Sequence, residues 1–301
     1  MENQSLESQT TEKVATLGER MKTFERTEQV EPYQAFIVRA DGNRFSKYTK
    51  GLQKPFDEAF QRAMVKTANG LMDHFSCATI FVCSDEISLV FSPVCSQEES
   101  EANQASNNKQ THIYSGRHNK IETLVSSKAS VLFNKFMLEE VRLKSAENPG
   151  VYAKTFLDRV ESQDAIFDAR LIPFPLGSEF EIVNNLIWRS CYDCHRNTVS
   201  SYGRHVLGTK ACENKKSHQM IQLMKIEKDF DFDEVPTAYK FGVFGKKALH
   251  VLTNDQGENY TRHKHFNFCT NLVKEDRDCT LDLFMKKYFE EGLIMHDEYV
   301  L

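Results

Sequence analysis

Two apolar runs that each break at a carboxylate constrain this chain more than any other feature. FIVRADGNRF at 36–45 opens like a core strand, with Phe36, Ile37 and Val38, and then delivers Asp41 and Gly42. TIFVCSDEISLVFSP at 79–93 reads as two apolar strands broken by Ser84, Asp85 and Glu86. Between them, after Pro55, Phe56, Phe60, Met64, Thr67, Leu71 and Phe75 recur at the spacing of one helix face. A strand at 34–40, a long helix, and strands at 79–83 and 87–92 make a βαββ unit.

The pattern continues. A helix is expected over 118–145 with Leu124, Val131, Leu132 and Phe136 inward, then a strand FDARLIPFP at 167–175 stopped by Pro173 and Pro175. The sum, βαββαβ, is the ferredoxin-like arrangement: an α+β fold with an antiparallel sheet and helices on one face. Residues 12–175 form this portion, and 176–301 form a helical and hairpin extension packed with it. In the extension, 181–207 reads as one long helix, 217–228 as a short one, 239–252 as a strand or hairpin and 275–291 as an amphipathic helix. Ahead of the first strand, Val14, Leu17, Met21 and Phe24 mark another helix. The polar stretches 1–11 and 95–111 read as disordered tail and flexible insertion.

Composition excludes several classes. The 301 residues are 40% hydrophobic and 27% charged, and no apolar run is long enough to span a bilayer. The first thirty residues carry six Glu against four Lys or Arg with no apolar segment, unlike a secretory signal or an acid-poor presequence. A cytoplasmic protein is expected, with its eight cysteines reduced. CYDCH at 191–195 fits haem-attachment spacing, but there is no export signal and no second Cys/His pair for zinc, so it reads as ordinary helix. Net charge is −5, so an RNA partner must rely on local patches such as RHNK at 117–120, ENKKSH at 213–218 and RHKH at 262–265. No G-x-S-x-G or Walker A loop is present.

The chemistry must come from the carboxylates. In this topology the ends bearing Asp41 and Asp85 meet, and two adjacent carboxylates repel unless a cation lies between them. Mg²⁺ fits, because it takes one or two carboxylates plus substrate phosphate oxygens. Gly42, without a Cβ, lets its carbonyl approach the ion. Two metals about 3.5–4 Å apart would suit in-line phosphoryl transfer. Against this stands the plainer reading of DG and SDE as turns. Glu86, next in the strand, is expected to point to the opposite face. Trp188 is expected in the core, and Arg170, flanked by Ala169 and Leu171 on a strand read as interior, needs an anion.

LGERMKTFE (17–25), RADGNRFSKYTKGLQKPFDEAF (39–60), CSDEISLVF (83–91), RHNK, FDARLIPFP, WRSCYDCHRN (188–197) and VPTAYKFGVF (235–244) together resemble the tRNA-histidine guanylyltransferase superfamily. The resemblance spans about 15–250, with one residue more than the usual pattern between Trp188 and Arg196. It implies a polymerase-palm-like fold and addition of nucleotides to an RNA 5′ end in the 3′-to-5′ direction. ATP first adenylylates a 5′-phosphate; the 3′-hydroxyl of the incoming GTP or other nucleoside triphosphate then attacks it, with two Mg²⁺ per site. Where the histidine-specific branch has His-Ile-Asn-Asn, this chain reads HRNT, which resembles the branch that repairs truncated tRNAs by template-dependent addition. The alternatives are 5′-G addition specific to tRNA-histidine, a non-catalytic tRNA-binding protein, and a cyclase on the same palm architecture.

By this resemblance Asp41, Gly42 and Asp85 are metal ligands, with the two aspartates catalytic. Lys54, Asp57, Ser84, Arg117, Lys120, Arg170, Arg196, Asn197, Arg20 and Lys22 are expected to contact nucleotides. Lys210 is a candidate for tRNA backbone. Asp57 reads equally as a helix-start acid, and Arg117 and Lys120, three apart, as one basic helix face. A homotetramer is implied by the resemblance alone.

Overall fold

The computed structural model describes residues 15–25, 27–105, 110–254 and 256–301. The 1–11 tail, Val14 and part of the 95–111 stretch lie outside the described residues. One antiparallel sheet runs through the chain, in the order β4-β1-β3-β2-β5-β6-β7. Its strands are β1 Phe36–Gly42, β2 Thr79–Cys83, β3 Glu86–Phe91, β4 Phe167–Pro173, β5 Val243–Thr253, β6 Asn259–Cys269 and β7 Asp297–Glu298. The first four in the order 4-1-3-2 are the ferredoxin-like core, and the β5–β6 hairpin extends it by pairing Val243 with Val82.

Alternation along β1 divides the interior. Phe36, Val38 and Ala40 enter the core beneath α3 (Glu58–Phe75) and α5 (His118–Glu147). Ile37 enters a second core with Ile182 and Leu186 of α7 (Phe180–Ile187) and Leu283 and Phe284 of α12 (Arg277–Met285). The C-terminal extension therefore covers the face that α3 and α5 leave bare. Each fully buried Phe or Leu here contributes about 1.5–3 kcal/mol of burial.

Several elements differ from expectation for identifiable reasons. The inward stripe of α5 is Ile121, Val125, Ala129, Phe133, Met137 and Val141. Val131 is exposed, while Leu124, Leu132 and Phe136 flank the core. A fourfold spacing wins because α5 lies against both α3 and β4, and Leu132 reaches over Gly70, where a Cβ would lie 2.9 Å from it. The 95–111 stretch contains α4 (Gln97–Ala105), started by Ser96 Oγ accepting from Glu99 N–H (3.1 Å) and Glu99 accepting from Ser96 N–H (2.8 Å), a capping box. In the first helix, α1 (Leu17–Lys22), no residue is buried, so the expected apolar face of Leu17, Met21 and Phe24 is uncovered within one chain. The last helix, α12, is shorter than 275–291: Asp276 caps its start, accepting from Cys279 N–H (3.0 Å), and it ends at Met285.

The single helix expected at 181–207 is three segments: α7, a π-helical segment Trp188–Cys194 and α8 (His195–Val206). The widened turns lie in the WRSCYDC stretch itself. They also turn Trp188 outward. It is 52% exposed rather than core, with the Arg189 guanidinium 5.1 Å from its ring centroid.

Short helices complete the chain: α2 (Phe45–Tyr48), α6 (Lys154–Glu161), α9 (Thr209–Cys212), α10 (Ser217–Lys228) and α11 (Thr237–Phe241). Among the described residues, no helix is long and apolar enough to cross a membrane.

Candidate active site

The two carboxylate-bearing strand ends meet as the topology requires. Ser84 and Asp85 form a two-residue turn between β2 and β3, with Cys83 opposite Glu86 and Ser84 at a left-handed φ of 53°. The carbonyl of Asp85 accepts the N–H of Gly42 at 3.0 Å, which ties this turn to the end of β1. Gly42 is required sterically as well: a Cβ there would lie 2.4 Å from the Phe45 ring.

Burial pushes the Asp85 carboxyl above the usual carboxylate range and the Asp41 charge pushes it the same way, against hydrogen bonds from its own backbone and Ser84 and the Arg189 charge. No salt bridge closes on Asp41 among the described residues. An acid whose carboxylate neighbour adds to its charging cost is chemically suited to share a hard divalent cation with that neighbour. Asp41, Asp85 and the Gly42 carbonyl are the groups that would hold one. Among the described residues no cluster of three or more His, Cys, Asp or Glu converges as a ready-made metal cage, so further ligands would come from substrate or water.

The register places these acids within a charged band. Asp168, Asp41 and Glu86 lie side by side across β4, β1 and β3, and Arg170 and Arg39 form the adjoining rung. Residues directly opposed in an antiparallel pair share a face. Glu86 therefore shares Asp41's face, and is not turned away from it. It is bound to Arg189 and lies 3.9 Å from Arg39 Nε. Arg170 is not interior: β4 is an edge strand, and the exposed guanidinium pairs with Asp168 at 3.2 Å. Arg39 and Arg189 were not singled out from sequence. Arg39 was legible, being two residues before Asp41 on one strand; Arg189 was not, because its direction depends on the π segment.

Beside the turn, a cavity is lined by Phe56, Asp57, Cys83, Ser84, Asn197 and Tyr239 among others, so three of the expected nucleotide contacts share one opening. Phe56 stacks on Tyr239 with centroids 4.5 Å apart. Asp57 is buried and already engaged: it accepts from Gln53 and Phe60 N–H (3.0 and 3.2 Å) and from Tyr152 Oη (3.0 Å), anchoring the start of α3. Lys54 is exposed just before it. Arg196 is exposed and held by Asp193. In the CYDCH stretch, Cys191 Sγ contacts Asn271 Oδ1 and Cys194 Sγ contacts the Tyr239 carbonyl, both at 3.5 Å.

The remaining cations are elsewhere. Glu122 of α5 accepts from Leu171 N–H and Ser130 from Phe167 N–H, so α5 runs antiparallel to β4. Its first turn therefore lies where β1 begins, roughly five strand residues or about 17 Å from Asp41. Arg117 and Lys120 belong to that far end. Nor do they share a helix face, because Arg117 precedes the helix with an extended backbone and Lys120 sits over Tyr114, 5.4 Å from its centroid. Arg20 and Lys22 are exposed on α1, whose chain then reaches Glu28; its carbonyl accepts from His118 N–H at that same end. Lys210 is exposed on α9, next to α8.

Residues 18–175 match the family described as tRNAHis guanylyltransferase. An uncharacterized protein of Acanthamoeba polyphaga mimivirus is 34% identical over 276 residues, covering 91% of this chain and 90% of the relative. Among solved structures, a bacterial tRNA(His) guanylyltransferase-like protein in complex with ATP superposes with a TM-score of 0.64 at 23% identity, covering 89% of this chain and 99% of that one. Another of the same description, in complex with GTP, gives 0.60 at 22%, covering 89% and 98%. The Saccharomyces cerevisiae tRNA(His) guanylyltransferase gives 0.54 at 19%, covering 76% and 92%. With its paired acids at adjoining strand ends of the same sheet, and with just over half its length matched by the family, this chain belongs to the tRNAHis guanylyltransferase family of nucleotidyltransferases.

Proposed function

We propose that this protein adds nucleotides to the 5′ end of truncated tRNA, copying the opposite strand in the 3′-to-5′ direction, with ATP and other nucleoside triphosphates as substrates. The observation that carries the reading is the backbone link from Gly42 to Asp85, which brings Asp41 and Asp85 to one point at the sheet end. The ATP and GTP complexes of the bacterial guanylyltransferase-like proteins support nucleotide substrates. HRNT at 195–198, in place of His-Ile-Asn-Asn, favours templated repair.

In the first stage a 5′-phosphate oxygen attacks the α-phosphorus of ATP and pyrophosphate leaves. In the second, the 3′-hydroxyl of the incoming nucleotide attacks the adenylylated 5′-phosphorus; AMP leaves and a phosphodiester forms. Bound Mg²⁺, held by Asp41, Asp85 and the Gly42 carbonyl, would neutralise charge building on the phosphoryl oxygens. The chain's own part is positioning. The Ser84 turn fixes Asp85 against β1, the cavity beside Phe56 and Tyr239 receives a nucleotide, and Asn197 and Arg196 approach from α8. Arg117, Lys120, Arg20 and Lys22 are assigned to triphosphate or RNA delivered at the far end. A homotetramer would give them, and the uncovered face of α1, a neighbouring chain to meet. Lys210 is assigned to RNA backbone.

The family description favours a second reading, a single G added to full-length tRNA-histidine. Purified protein given all four nucleoside triphosphates, Mg²⁺ and either substrate separates the two. Filling of several missing nucleotides on truncated tRNAs, following the template strand, supports repair. One G on tRNA-histidine and nothing on truncated ends supports the second reading.

A further inference from the structure

The outer acids of the charged band are each neutralised, but in different ways. Asp168 and Arg170 are about half exposed, so their pair is screened and free to exchange partners. Glu86 is held much more firmly. Arg189, its partner, has a side chain only 9% exposed, and its other terminal nitrogen binds Asp193 at 2.8 Å. Asp193 is in turn bound by Arg196. The guanidinium is thus fixed between two carboxylates by geometry that suits its planar fork. Both Arg189 and Asp193 lie in the π segment, the part of the helix that packs against the end of β2.

Glu86 is directly opposite Asp41 and next in sequence to Asp85, and it is held from joining them by Arg189 in direct contact, with Arg39 Nε farther off at 3.9 Å. A third carboxylate would fill a position on the cation that must stay open for a phosphate oxygen, and would repel an incoming polyphosphate.

We propose that Arg189 is a positioning residue that holds Glu86 away from the Asp41–Asp85 pair, so that a divalent cation there meets two carboxylates instead of three. This rests on the metal-dependent reading above, but its test needs neither RNA nor nucleotide. Mn²⁺ is titrated into the full-length protein and free Mn²⁺ is read by electron paramagnetic resonance, with circular dichroism reporting the fold.

Arg189→Met leaves Glu86 with only the longer contact to Arg39 and is expected to tighten Mn²⁺ binding about tenfold. Glu86→Gln alone leaves Mn²⁺ affinity within about twofold of wild type, because Glu86 is not a ligand when Arg189 holds it. The double variant Glu86→Gln, Arg189→Met returns to the wild-type value. A merely structural role for Arg189 would lower the melting temperature and weaken or leave unchanged Mn²⁺ binding, which overturns the inference. So does a Glu86→Gln variant that loses Mn²⁺ to the extent expected of Asp41→Asn, since Glu86 would then be a ligand itself. If Arg189→Met does not fold, Glu86→Gln still decides, with Arg189→Lys expected to match wild type. Protein that shows this Mn²⁺ pattern but extends no tRNA keeps the inference and loses the functional reading; protein that extends tRNA without the pattern does the reverse.

Discussion

Two carboxylate sites in this molecule are built to opposite specifications. Glu140, on α5, is 4% exposed and lies between Arg62 and Lys66 of α3, with Arg62 Nε at 3.0 Å. Asp85 is half-buried, and burial first, then the charge of Asp41, raises its charging cost. The first acid is fully compensated and joins two helices. The second is compensated only in part, by the Ser84 turn and the Arg189 charge, at the point where two strand ends meet. The contrast separates stability from function: a fold that closes two salt bridges on one glutamate closes none on Asp41 or Asp85 among the described residues.

Breaking each site tests that contrast. The largest effect is expected from Asp41→Ala or Asp85→Ala, which should reduce nucleotide addition by about a thousandfold or more, as loss of a metal-ion site does, with circular dichroism unchanged. Next, Glu140→Ala leaves two cations facing each other without an anion. It should cost about 1–3 kcal/mol in urea denaturation, below the figure for a deeply buried pair because Arg62 and Lys66 still reach water, with activity per folded molecule retained.

A smaller effect of opposite sign is expected from Asp85→Asn. A carboxyl whose folded pKa is raised binds a proton more readily when folded, so the cost of its charge is absent at low pH and grows as pH rises through the folded value. The variant should therefore melt higher than wild type at neutral pH, and the gap should close as pH falls towards the unperturbed value of 3.8. A gap that widens on acidification contradicts the account.

The pH dependence of Lys246 sharpens the same point on a cation. Its Nζ is fully buried and donates to the carbonyls of Ala78 (3.0 Å) and Lys286 (2.6 Å) and to Thr79 Oγ1 (3.0 Å), and burial lowers its pKa to about 7. The unfolded chain then binds more protons between pH 7 and the ordinary lysine value of 10.5, so this group's contribution to stability rises across that window. Lys246→Met should flatten that rise in a series of urea titrations while lowering stability overall, since three acceptors lose their donor.

How much of this could be read in advance follows from the range of the interactions. The βαββ core and the meeting of Asp41 with Asp85 were legible, because local periodicity and one topology determine them. Leu71 and Phe75 on α3 followed from spacing as well. The inward face of α5 slipped because packing against two elements chose Phe133 over Val131. Trp188 was misplaced in the core and the direction of Arg189 was hidden, since a π segment re-aims side chains without changing the helical pattern of residues. Arg170 was misplaced because edge or interior position is a property of the whole sheet. Arg117 and Lys120 fell at the far end because the direction of α5, not its sequence, decides which strand end they reach.

The most direct test follows the fate of a radiolabelled 5′-phosphate on a tRNA lacking its first nucleotide. Protein, ATP, Mg²⁺ and the templated nucleoside triphosphate are mixed, and the label is then challenged with phosphatase. The account predicts a label that becomes phosphatase-resistant through incorporation into an internal phosphodiester, with the Asp41→Ala, Asp85→Ala double variant inert although it still binds the tRNA. A label that stays phosphatase-sensitive with wild-type protein, or protection by the double variant equal to wild type, would contradict it.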